Sequence, residues 1–210
     1  YTFLALLPGY TNRNNASLVH MMNTLIDASQ DSESRFVENG NFDLQKQVKN
    51  AEQAGQKIFL IGVTFALMDL AAVQKLNMTG HIIMETGGMK GRRKEIIREE
   101  VHNILSDAFS LEKIHSEYGM TELFSQAYSS GDGIFRTPHW MKVIITDTHD
   151  PFCVLPTGRT GRINVIDLAN TESCAFIATD DLGKLHSDGS FEVLGRMDHS
   201  ALRGCNLMAI

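Results

Sequence analysis

The residues Tyr118-Gly119-Met120-Thr121-Glu122 combine an aromatic ring, a glycine, a hydroxyl and a carboxylate within five positions. Apolar runs flank them on both sides, which is the make-up of a ligand-facing loop held between rigid elements. Tyr118 can stack on a planar base, and Gly119 lets a ligand approach the backbone closely. Thr121 can donate to an anionic oxygen, and Glu122 can hold a hard cation such as Mg²⁺. The same five residues also suit a tight turn followed by a helix cap. The stretch by itself leaves both readings open.

Four other stretches carry candidate chemistry. Gly87-Gly88 follows a strand-like run and precedes a helical one, where backbone amides and a helix N-terminus can receive a phosphate. It lacks the Gly-x4-Gly-Lys-Ser/Thr spacing of a Walker loop. Lys90, Arg92, Arg93 and Lys94 would then fall on the first helical turn, where the macrodipole disfavours cations. A bound anion would resolve that conflict; a solvated basic face is the plainer reading. Thr179-Asp180-Asp181-Leu182-Gly183 reads as a turn between two short strands. There Asp181 could accept two hydrogen bonds from a vicinal diol, or simply belong to an Asp-rich turn. Arg196 follows in Gly195-Arg196-Met197-Asp198, and Gly195 and Gly204 bracket a segment with the character of a hinge. Cys205 sits beside Arg203, a setting that could activate a thiol, although cysteine is more often a small buried apolar group. Cys153 and Cys174 are expected in the core, and the eight histidines show no ligand spacing.

The elements that must position these groups alternate at first. Strand-like runs at Thr2–Leu7, Lys57–Gly62, Gly80–Met84 and Lys113–Glu117 are separated by helical patterns at Ala16–Ala28, Asp43–Ala54, Thr64–Leu70 and Arg92–Leu105. Gln30–Gly40 is polar and reads as a loop. Such alternation argues for α/β architecture with a mostly parallel sheet. From Leu123 the pattern becomes short and β-rich, with segments near Met141–Thr146, Arg162–Ile166, Cys174–Thr179 and Phe191–Leu194. The expected organisation is therefore an α/β nucleotide-binding subdomain over 1–122, a smaller β-rich subdomain over 123–194, and a hinge and tail over 195–210. A formal charge of −6 argues against a nucleic-acid-binding surface. No apolar stretch approaches the length of a membrane span. Three cysteines without metal-type spacing suggest a reducing, cytoplasmic setting.

Taken in order, the glycine pair, Tyr-Gly-Met-Thr-Glu, Thr-x-Asp-Leu-Gly and Gly-Arg-x-Asp resemble the adenylate-forming superfamily. Within it the chain is most similar to acyl-protein synthetases of the LuxE type, relatives of phenylacetate-CoA ligase. Phe3–Pro8, Ile61–Leu67, Met84–Arg93, His115–Glu122 and Leu194–Leu207 carry that likeness across nearly the whole sequence. The resemblance implies an adenylate-forming N-terminal-domain fragment that uses ATP and Mg²⁺ to convert a fatty or aryl carboxylic acid to an acyl-adenylate. It implies that Gly87 and Gly88 line the adenine pocket, that Tyr118 stacks on the base beside Gly119, and that Thr121 touches the α-phosphate. Glu122 would bind Mg²⁺, Asp181 and Arg196 would hold the ribose, and Asp198 would be the hinge. Cys205 would accept the acyl group as a thioester for delivery to an acyl-CoA-reductase-like partner. His115 and Phe65 would contact the acyl substrate, with Leu67 and Met68 beside Phe65; packing roles fit these residues as well. By the same resemblance the phosphate-clasping loop of the superfamily is expected before Tyr1, and most of the C-terminal domain with its late lysine is expected to be absent, as in LuxE-type chains. This stretch alone is accordingly expected to be inactive in adenylation. An acyl- or aryl-CoA ligase and a non-catalytic nucleotide- or partner-binding domain are the alternatives.

Overall fold

The computed structural model describes residues 1–9, 16–38, 42–87 and 97–197. They divide into two compact units, Tyr1–Thr121 with Tyr128–Gly133, and Glu122–Ala127 with the residues from Ile134 onward.

In the first unit the elements run β1 (Thr2–Leu6), α1 (Ser17–Ser29), β2 (Arg35–Val37), α2 (Leu44–Gln53), β3 (Ile58–Val63), α3 (Thr64–Val73), β4 (Ile82–Thr86), α4 (Arg98–Phe109) and β5 (His115–Tyr118). With β6 (Ala127–Ser129) the strands form a sheet in the order β2-β1-β3-β4-β5-β6. The pairs from β2 through β5 are parallel. Strands β1 and β3 are buried at almost every position, as their unbroken apolar sequences require of strands covered on both faces. Leu4, Leu6, Ile58, Leu60, Leu67, Leu105 and Phe109 have no exposed surface, and burial of each such side chain contributes about 1.5–3 kcal/mol. At the start of α2, Asp43 accepts a hydrogen bond from the Lys46 amide at 3.0 Å and so satisfies one free donor of the first turn. Among the described residues no helix is long and apolar enough to cross a membrane.

The second unit contains β7 (Ile134–Phe135), β8 (Met141–Thr146), β9 (Thr160–Asp167), β10 (Phe176–Leu185) and β11 (Phe191–Arg196). These five strands form a sheet in the order β7-β11-β10-β9-β8, with antiparallel neighbours throughout. Along β9 buried and half-buried residues alternate, so Gly161, Ile163, Val165 and Asp167 lie on one face. Gly183 of β10 stands opposite Gly161. A Cβ at Gly183 would run into the Glu192 carbonyl and the Ile163 side chain, and one at Gly161 into the Thr146 carbonyl.

Several expectations need correction. Residues 30–40 are not all loop: Arg35–Val37 forms the edge strand β2, fixed by pairing with Leu4–Leu6 rather than by its own polar composition. The helix expected from Arg92 begins at Arg98, after Ile97 in extended conformation. Glu99 and Glu100 occupy its first turn, and there they favour the macrodipole. Thr179–Gly183 is no turn between strands but the middle of β10, whose register shifts between Ala178 and Leu182. Cys153 and Cys174 are exposed, not core. Gly88, Lys90, Arg92, Arg93, Lys94, Asp198 and Cys205 lie outside the described residues.

Candidate active site

Neighbouring parallel strands β4 and β5 end together, with Thr86 opposite Glu117. Their last residues are followed directly by Gly87 and by Gly119–Thr121, so two separated motifs emerge at one carboxyl edge of the sheet. That edge is where open α/β sheets bind ligands. Gly87 has φ +70°, the left-handed region that glycine enters without steric cost. Gly119 and Thr121 are exposed. Tyr118 is buried, with 7% of its surface accessible, so stacking on a base requires that side chains over the ring give way. His115 opens β5 and is half-buried; burial, aided by the Lys113 charge, lowers its pKa and favours the neutral ring. Phe65, Leu67 and Met68 belong to the apolar core of this unit.

Two carboxylates that sequence patterns had not marked lie beneath this edge. Glu85 Oε1 is 3.3 Å from Arg98 Nε and 3.7 Å from His102 Nε2, and Oε2 accepts a hydrogen bond from Thr64 Oγ1 at 3.0 Å. His102 Nε2 also lies 3.1 Å from Ser116 Oγ. Burial is the largest influence on Glu85 and pushes its pKa up. The His102 hydrogen bond, the Arg98 charge and the Ser116 hydrogen bond together outweigh it and hold the carboxyl below its ordinary value. Glu85 is thus an ionised post joining β4, α4 and β5. Glu117 is its opposite. It lies beside Thr86, and its Oε1 accepts from Thr86 Oγ1 at 2.9 Å. Burial raises its pKa against the hydrogen bonds of Thr86 and Tyr128, and the nearby Glu85 charge adds to the rise. Buried parallel strands normally read as apolar, so glutamates at positions 85 and 117 were the available signal. The Arg98–His102 spacing, which puts both on one helix face, was the other.

In the second unit Asp181 and Arg196 are register partners on β10 and β11. Arg196 Nε stands 3.6 Å from Asp181 Oδ1, and Nη2 stands 3.9 Å from Asp180 Oδ2. The Arg196 side chain is 71% exposed and that of Asp181 16%, so the pair contributes little to stability. Glu122 is exposed, but its backbone is fixed: Asn170 Nδ2 donates to the Glu122 carbonyl at 2.8 Å and to the Cys174 carbonyl at 2.9 Å. Just beyond it, buried Asp167 accepts from the amides of Phe124 (2.9 Å) and Ser125 (2.8 Å) and from Ser125 Oγ (2.7 Å). Sequence reasoning also missed this clamp, since Asp167 ends a strand and reads as turn chemistry. Among the described residues no group of three His, Cys, Asp or Glu side chains could hold a metal ion.

A mostly parallel sheet with flanking helices, followed by an antiparallel sheet, is the arrangement of N-terminal fragments of adenylate-forming enzymes. The ATP-bound MatB of Rhodopseudomonas palustris superposes with a TM-score of 0.60 at 18% identity, covering 93% of this chain and 40% of that one. O-succinylbenzoate coenzyme A synthetase (MenE) of Bacillus subtilis in complex with AMP gives a TM-score of 0.54 at 18% identity, covering 93% and 41%. These likenesses define the fold. The chain belongs to the LuxE family of acyl-protein synthetases, which it matches over residues 17–209. It is also 25% identical over 223 aligned positions to the long-chain-fatty-acid–luciferin-component ligase of Aliivibrio fischeri, covering 95% of this chain and 58% of that relative. The chain thus spans little more than half the length of that curated relative.

Proposed function

We propose that the protein carrying this sequence activates a carboxylic acid with ATP and passes the acyl group from the adenylate to Cys205. The observation that carries the reading is the joint emergence of Gly87 and Tyr118–Thr121 from paired strands at one sheet edge, within a chain of the LuxE family. ATP and AMP are the nucleotides of the similar MatB and MenE structures. By family resemblance Gly87, Gly88, Tyr118 and Gly119 serve the base and Thr121 the α-phosphate, while Asp181 and Arg196 serve the ribose. The Asp181–Arg196 pair suits that role, since one side chain accepts from hydroxyls and the other donates. Glu122 fits a Mg²⁺ ion held by one carboxylate together with substrate phosphates, because its carboxylate is exposed on an immobilised backbone. That ion, when bound, neutralises phosphate charge; the chain's own task is to hold acid and nucleotide in line. Asp198 is the proposed hinge, and His115 and Phe65 are the proposed acyl contacts.

Cys205 supports attack on the mixed anhydride because a thiolate is both a good nucleophile and a good leaving group. The carbonyl carbon gains sulfur, AMP leaves, and the thiol proton passes to solvent. The acid is a fatty acid in this reading, as for the Aliivibrio fischeri relative, and an acyl-CoA-reductase-like protein is the receiving partner. The decisive experiment incubates the full-length protein with ATP and labelled fatty acid, followed by hydroxylamine. Hydroxylamine-labile label that disappears in Cys205→Ser is expected. Label that persists in that variant overturns the thioester step. Transfer to coenzyme A in place of Cys205 would instead establish a ligase of the phenylacetate type. An Asp181→Ala variant that binds ATP as tightly as the parent removes the ribose assignment.

A further inference from the structure

Glu117 has no task in the reading above, yet its environment calls for one. The residue is 9% exposed, and Thr86 Oγ1 donates to its Oε1 at 2.9 Å. Its other oxygen, Oε2, is sealed from water and has no hydrogen-bond partner among the described residues. The ionisable groups acting on it are Tyr128 and Glu85, neither of them a cation. Tyr128 hydrogen-bonds to Glu117 through a hydroxyl that also lies 3.8 Å from Met21 Sδ, and it brings no positive charge. A carboxylate buried without a cation reverts to the neutral acid. In that form the oxygen held by Thr86 is the carbonyl, and Oε2 is an O–H donor with no partner at hydrogen-bond distance among the described residues. Buried polar atoms are nearly always matched, so an unmatched one at the ligand edge of a parallel sheet points to a ligand.

Alternation along β5 sends Glu117 and Tyr118 to opposite faces. With the nucleotide base assigned to Tyr118, the Glu117 face is left for the second substrate. We propose that Glu117 Oε2–H donates a hydrogen bond to the carboxylate of the acid being activated, and so holds one carboxylate oxygen while the other attacks the α-phosphorus of ATP and pyrophosphate leaves. This rests on the ligase reading. The proton stays on Glu117 throughout, and no bond to the enzyme forms. A neutral donor facing an anionic acceptor gives a short, strong O–H···O⁻ bond.

The test measures acid-dependent ATP–pyrophosphate exchange by the full-length protein, comparing the parent with Glu117→Gln and Glu117→Leu across pH 5–9. Glutamine keeps an N–H donor that does not titrate, and leucine keeps bulk alone. The expected results are a KM for the acid raised about tenfold or more in Glu117→Leu with the KM for ATP unchanged, a loss equivalent to one good hydrogen bond. The parent's KM for the acid should climb with pH as Glu117 ionises, and Glu117→Gln should not show that climb. Because the substrate acid titrates identically in both proteins, the ratio of the two profiles isolates Glu117. Identical pH profiles for the parent and Glu117→Gln overturn the proposal even if Glu117→Leu does not fold. A rise in the KM for ATP alone also overturns it and assigns the contact to the nucleotide. Exchange with no acid at all removes the ligase reading, and this proposal with it; normal exchange with an unmoved acid KM removes only this proposal.

Discussion

Replacing Asp167 by alanine isolates the clamp that holds the chain just after Glu122. The carboxylate takes four hydrogen bonds, from Phe124 N, Ser125 N, Ser125 Oγ and Ala169 N at 2.9, 2.8, 2.7 and 3.1 Å. Phe124 and Ala169 are exposed residues whose amides water can reach after the change, whereas Ser125 is buried. Two donors are then stranded, at about 1–3 kcal/mol each, giving an expected loss of about 3–4 kcal/mol for this unit. At about 2–4 °C per kcal/mol for a chain of this size, the unfolding midpoint falls by about 10 °C. The chain's single tryptophan reports on the event directly, because Trp140 Nε1 donates to Ser125 Oγ at 2.9 Å. Denaturant titration followed by Trp140 fluorescence gives the magnitude, and hydrogen exchange at the Phe124 and Ser125 amides gives the location. Asp167 is also held below the ordinary carboxylate pKa. Burial opposes this, but the bonds from Ser125, Ala169 and Phe124 outweigh it. Its contribution is therefore complete above the unfolded-state value near pH 4 and disappears as pH falls through the lower folded value. A loss under 1 kcal/mol, or unchanged exchange at both amides, would refute the clamp.

Other perturbations follow from the same structure. Glu85→Leu removes the buried carboxylate that Arg98 and His102 face and should cost about 3 kcal/mol by chemical denaturation. It should also lessen the parent's stability loss at acid pH by the share that belongs to Glu85, which has a lowered pKa and stabilises above its unfolded value. Glu117→Gln should act on the opposite side. A raised carboxyl stabilises fully below its unfolded pKa and less as pH rises through the folded one, so the variant should overtake the parent at higher pH. Asp43→Ala should lower stability by about 1 kcal/mol through loss of the α2 cap, read as a midpoint shift without a change in denaturant slope. Gly183→Ala should cost about 2–3 kcal/mol, since the added methyl meets the Glu192 carbonyl; a neutral result would show that the strands separate easily there.

How much of this was legible depended on whether a residue's role was local. Asp43 caps a helix through a contact three residues away, and Met141–Thr146 alternates along its own length, so both elements were visible in the sequence. The edge strand Arg35–Val37 was not, because its polar residues form a strand only when β1 supplies the partners. Asp180-Asp181-Leu182-Gly183 carries turn residues, but the sheet overrides them with a register shift and uses Gly183 for close approach. At the site, exposed Thr121 and Glu122 followed from loop composition. Glu85 and Glu117 did not, because what distinguishes them is the company each keeps: Arg98 and His102 for one, Thr86 and Tyr128 for the other. Pairing with Arg98 across 13 positions and with Thr86 across 31 is set by tertiary structure.

The polypeptide leaves the first unit after Thr121, contributes Glu122–Ala127 to the second, and returns for Tyr128–Gly133 before departing again at Ile134. Dissection of the molecule is constrained by that excursion. A single proteolytic nick or stop codon near position 121 would not release two self-sufficient pieces: the upstream product would lack its outermost strand, and the downstream product would carry that strand as an orphan. Recombination between relatives should accordingly tolerate crossovers after Gly133 far better than crossovers between Thr121 and Gly133, where each parent's sheet would have to accept the other's edge.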